Sequence, residues 1–89
     1  MTYVAPRTAM EKSIGAIWTE VLKIDPIGIE DDFLEIGGDS LLAARIASRI
    51  LIAFCVDLAP RDLFDAPTIA RRADLVVRRQ REARDREDQ

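Results

Sequence analysis

The chain of 89 residues has no histidine, one cysteine and two lysines, Lys12 and Lys23. Without histidine, a serine nucleophile has no ordinary base to take its proton. With Cys55 alone, no internal disulfide and no cysteine-based zinc spacing can form, which fits a reducing, cytoplasmic setting. No apolar run approaches the roughly 20 residues that span a bilayer, and "MTYVAPRTAMEK" lacks the apolar centre of a signal peptide. No membrane partner is therefore expected. Aromatics are 6% of the chain and the net charge is −3, so nothing draws it toward nucleic acid. What is present is 48% apolar and 33% charged, the balance of one small globular domain, expected to be a monomer.

Residues 1–7, "MTYVAPR", read as an extended lead-in, because Pro6 disfavours helix in the residue before it. Thr8 and Glu11 have capping-box spacing. Ile14, Ile17, Trp18, Val21 and Leu22 then mark one helical face. Pro26, Gly28, Gly37 and Gly38 break the period. Ile27, Ile29, Phe33, Leu34 and Ile36 make this long loop apolar enough to pack back on the helices. Asp31 and Asp32 read as loop hydrogen-bonding groups rather than a paired-carboxylate site.

A second helix is expected from about Ser40 to Phe54, burying Leu42, Ala43, Ile46, Ile50, Ala53 and Phe54. Cys55 follows it as a small apolar filler. Pro60 can open a short helix, "PRDLF". Thr68 caps a last one, with Ile69, Ala73, Val76 and Val77 on its face. The fold class is all-α: a four-helix bundle of three main helices and a short third, with a long structured loop between helices 1 and 2. The domain spans 8–77. Residues 78–89, "RRQREARDREDQ", form a charged tail or linker that can extend the last helix on charge pairs but has nothing apolar enough to dock, so fraying or disorder is expected. Its interleaved acids argue against a nucleic-acid arm.

Ser40 is the residue with chemical interest. The string "GDSL" also opens one class of serine esterases, but neither a base nor a strand–turn–helix frame accompanies it. Ser40 or Asp39 can simply cap the second helix. Alternatively, a hydroxyl at an exposed helix N-terminus on a glycine turn is accessible to another enzyme. A phosphodiester there would sit at the positive end of the helix dipole.

The stretch "DDFLEIGGDSLLAARI" resembles the core motif of carrier-protein (thiolation) domains of nonribosomal peptide synthetases. "YVAPRT", "AIWTEVL" and "LFDAPTIARRA" extend the likeness over roughly residues 3–77. The resemblance implies a four-helix bundle without catalysis of its own, carrying 4′-phosphopantetheine from coenzyme A on Ser40, beside Gly38 and Asp39. A phosphopantetheinyl transferase would attach it. Adenylation, condensation, thioesterase or tailoring enzymes would then use the aminoacyl or peptidyl thioester. Leu34 and Ile36 stand where the family often has Phe and Leu, as tolerable core swaps. Asp39 replaces the histidine common in elongation-type carriers; in the family Asp there is also seen in carriers that serve epimerisation domains, in aryl carriers and in acyl carriers, which leaves aryl or discrete acyl carriers as alternatives. Arg45 and Arg49 argue against a fatty-acid-type carrier, whose second helix is acidic. A plain helical interaction module, unmodified, is the alternative from another class.

Leu41, Arg45, Ser48 and Ile52 share a stripe on the second helix beside Ser40 and away from its core face. Its apolar members suit a docking surface for partner domains. "YVAPRT" resembles the stretch after an adenylation domain, so a free-standing protein and a piece of a synthetase are both compatible with the sequence.

Overall fold

A computed structural model describes residues 3–87, among which the chain forms four helices and no strand. They are α1 (Ala9–Leu22), α2 (Ser40–Phe54), α3 (Asp62–Asp65) and α4 (Ile69–Glu87). Met1, Thr2, Asp88 and Gln89, the outer ends of the expected lead-in and tail, lie outside the described residues.

Local chemistry sets the start of α1. The Glu11 amide donates to Thr8 Oγ1 at 3.0 Å, and the Thr8 amide donates to Glu11 Oε1 at 3.3 Å, the reciprocal capping box. Arg7 adds its own amide at 2.8 Å and its guanidinium at 3.0 Å. The Arg7 side chain is the main cause that holds the buried Glu11 carboxyl at about 2, against the opposing effect of burial. Residues 3–7 form no regular element, and the Val4 carbonyl accepts the Ile29 amide at 2.9 Å.

α1 packs against both α2 and α4. The core joins Ile14 and Trp18 of α1, Ile46 and Ile50 of α2, Leu63 of α3, and Ile69 and Val76 of α4, all fully or almost fully buried. The long loop contributes Ile27, Ile29 and Phe33 to it. Two backbone bonds tie this loop to the start of α4: Phe33 N–H to the Pro67 carbonyl at 2.8 Å, and Ala70 N–H to the Ile29 carbonyl at 3.1 Å. The loop is thus ordered by both its side chains and its amides. Thr68 caps α4 as expected, accepting the Arg71 amide at 3.2 Å.

Several expectations require correction. Leu34 is 51% exposed rather than packed, because the turn at 33–37 sends Phe33 inward and its neighbour outward. On α2, Ala53 is exposed and Ala47 buried: Ala47 lies closer to the centre of the core-facing stripe, and short Ala53 sits at its edge. Cys55 is an exposed C-cap residue at φ 57, not a filler. The short helix starts at Asp62, with Pro60 and Arg61 in the turn before it. Arg72, which the sequence does not set apart from its neighbour Arg71, is 1% exposed. It stands on the face of α4 that also carries Ile69 and Val76. Finally, α4 does not fray after Val77 but continues to Glu87. Good helix formers and the absence of any glycine or proline after Pro67 sustain it, with Arg78 Nε 3.9 Å from Asp74 one turn back.

Candidate functional site: the serine turn before α2

The turn that delivers Ser40 is built from beneath. Asp31 and Asp32 act as loop acceptors, as their placement suggests. Asp31 Oδ2 takes the Gly28 amide at 2.8 Å, and Asp32 Oδ1 takes the Leu34 amide at 2.9 Å. Phe33 then enters the core edge-on to Trp18, with ring centroids 5.5 Å apart and planes at 70°. The chain doubles back over that ring, the Gly38 amide bonding the Phe33 carbonyl at 2.9 Å. A Cβ on Gly38 would stand 2.3–2.5 Å from three Phe33 ring atoms. Gly38 is therefore glycine for space, whereas Gly37, at φ +106, is glycine for conformation. This role of Phe33 escaped the sequence reading, although an aromatic five residues before the second glycine was its visible trace.

Asp39, extended at φ −146, caps α2: its side chain accepts the Leu42 amide at 2.9 Å and its carbonyl the Ala43 amide at 2.9 Å. Ser40 is the first helical residue and is exposed. Its own amide and that of Leu41 have no acceptor among the described residues. The corner thus offers an open hydroxyl with two free donors at the positive end of a 15-residue helix. Around Gly37, nothing lies within 4 Å of where a Cβ would be. An anionic phosphodiester on Ser40 fits this corner by access and by charge, with Asp39 as the one opposing carboxylate next to it. No acid occupies the first turn of α2 beyond that cap.

Gly38, Asp39 and Ser40 are contiguous in this corner. Leu41, Arg45, Ser48 and Ile52 follow along the outward side of α2, all exposed, with Leu41 at 64% and Ile52 at 76%. Leu51, at 44%, flanks them. Arg49 is drawn off toward α1, where it pairs with Glu20.

This is the geometry of a domain, all-helical among the described residues, that presents an exposed hydroxyl at a helix start. Residues 12–76 match the family described as "Phosphopantetheine attachment site". Tyrocidine synthase 3 of Brevibacillus parabrevis is 47% identical over 75 residues, covering 84% of this chain and 1% of that protein. The chain thus corresponds to a very small part of this much longer relative. Among solved structures, an active-site mutant peptidyl carrier protein superposes with a TM-score of 0.84 at 39% identity, covering 89% of this chain and 88% of that one. A peptidyl carrier protein in complex with the phosphopantetheine transferase Sfp and coenzyme A gives 0.82 at 40% identity, covering 84% and 97%. The chain belongs to the phosphopantetheine attachment-site family, as a carrier domain homologous to those of nonribosomal peptide synthetases. Its cofactor is phosphopantetheine, and its role is to carry rather than to catalyse.

Proposed function

We propose that Ser40 is the attachment residue and that the domain spans 8–77. Holding aminoacyl or peptidyl groups as thioesters, it passes them between enzymes of a nonribosomal peptide synthetase in the cytoplasm. The observation that carries this reading is the exposed Ser40 hydroxyl at the free-amide end of α2, inside the segment matched by the family.

Attachment consumes coenzyme A. Ser40 Oγ forms a bond to the pantetheine-side phosphorus, the pyrophosphate bond breaks, and adenosine 3′,5′-bisphosphate leaves. The hydroxyl proton goes to a base of the transferase, because the chain has no histidine, and its lysines lie within α1 and at its C-cap. The amides of Ser40 and Leu41 are the donors the chain offers to the resulting anion, while Asp39 keeps the first turn capped. When bound, the group would supply a thiol at the end of a long arm, the atom on which cargo would be held. Adenylation, condensation, thioesterase or tailoring partners are expected to dock along Leu41, Arg45, Ser48 and Ile52. The exposure of that stripe supports this role. Arg45 favours partners with acidic docking faces, in keeping with a peptidyl or aryl cargo.

The test is intact mass after incubation with coenzyme A and a broad-specificity phosphopantetheinyl transferase. The parent chain should gain one phosphopantetheinyl increment and folded Ser40→Ala none. An unmodified parent chain, shown to be folded and initially free of the group, would leave Ser40 as no more than part of a helix start.

A further inference from the structure

α4 outlasts the core that it packs on. Its last fully buried apolar residue is Val76, yet the helix runs to Glu87 beside the end of α2. Between the two lies an open groove of about 580 Å³. Phe54, Val56 and Ala83 form its apolar part, and Arg79, Arg84 and Arg86 line it from α4.

The charges are sorted. Among the described side chains, Glu82 and Asp85 stay off the lining, and Asp57 is the one acid on it. None of the three arginines pairs with an acid among residues 3–86, whose side chains are described. Among the described residues the groove thus gathers three positive groups and one negative. Residues 1–77 carry eight Lys+Arg and twelve Asp+Glu, so a basic groove stands against an acidic body.

We propose that this groove docks an acidic segment of a partner polypeptide, one in which carboxylates flank a single apolar anchor. Guanidinium groups favour carboxylates through paired, charge-assisted hydrogen bonds. Its apolar part is made by Phe54, Val56 and Ala83, a short patch suited to a single anchor. The location is informative as well. Phe54 ends the helix that Ser40 begins, about 21 Å away along its axis, so an occupied groove leaves Ser40 and the outward stripe free. A partner held there has a raised effective concentration at Ser40 without obstructing it. This surface stands independently of whether Ser40 is modified.

The experiment is fluorescence anisotropy of the full chain with a short fluorescein-labelled Asp/Glu peptide bearing one central Leu. Its Asn/Gln counterpart serves as control, at low and at high salt. The acidic peptide should bind, weaken with salt, and lose about tenfold or more in affinity to Arg79→Glu/Arg84→Glu. The double variant should still accept phosphopantetheine normally, which separates this surface from the Ser40 reading. The proposal is overturned by equal binding of acidic and neutral peptides, by no binding, or by affinity indifferent to the charge reversal. Tighter binding of a duplex oligonucleotide, or self-association through the groove in sedimentation, would equally overturn it.

Discussion

Gly38→Ala tests whether the serine turn is held by contact with Phe33. The added methyl carbon would lie 2.3–2.5 Å from three atoms of the ring, far inside carbon–carbon contact distance. The ring has little room to retreat, since Phe33 is fully buried and packed edge-on against Trp18. The turn must therefore lift instead, straining the bond from the Gly38 amide to the Phe33 carbonyl and shifting the cap at Asp39. Overpacking of this kind costs about 1–3 kcal/mol, and in a domain this size each kcal/mol lowers Tm by roughly 4–8 °C. Urea and thermal unfolding would measure the loss, and transferase kinetics would show slower modification at Ser40. Phe33→Leu leaves a cavity and is destabilising alone, but it also makes room for the methyl. The double variant should therefore lose less than the sum of the single losses. An unchanged stability for Gly38→Ala, or strict additivity with Phe33→Leu, would refute the reasoning.

Other substitutions probe separate parts of the account. The Glu11 carboxyl, at about 2 when folded against 4.5 ordinarily, contributes fully above pH 4.5 and loses that contribution as pH falls toward 2. Glu11→Gln should be less stable at neutral pH and show a flatter decline on acidification in urea titrations; an identical acid slope would contradict this. Arg72 buries two unpartnered guanidinium nitrogens, and burial pulls its pKa down to about 10 against a partial offset from Asp62. Arg72→Met should stabilise the fold by on the order of 1–3 kcal/mol, and a lower urea midpoint would show that the charge is better satisfied than its surroundings suggest. Leu41→Asp and Ile52→Asp should change stability by less than about 0.5 kcal/mol while slowing loading or onward transfer. Unchanged transfer in both would remove the outward stripe from the docking account.

Features governed by a few neighbouring residues were the legible ones. Thr8 with Glu11, and Thr68 before Ile69, set helix starts by local hydrogen bonds, and the apolar period carried α2 from Ser40 to Phe54. What sequence did not show depends on distant partners. Whether Leu34 or Phe33 turns inward is decided by Trp18 and by the Pro67 carbonyl, neither nearby in the chain. Arg72 looks like one more member of an arginine run until α4 is rotated against its neighbours. The extension of α4 needed no docking, since helix propensity carries an exposed helix where apolar period predicts nothing. At the serine corner, Gly38, Asp39 and Ser40 were readable as a group, but the steric reason for Gly38 was not.

The most direct measurement of the central claim is peptide mapping of the transferase-treated protein. Trypsin cleavage after Lys23 and Arg45 releases the stretch 24–45, in which Ser40 is the only hydroxyl-bearing residue. The phosphopantetheine fragment ion should arise from that peptide and from no other. Its appearance instead on the peptides that carry Ser13 or Ser48, or its absence from all of them, would contradict the assignment of Ser40.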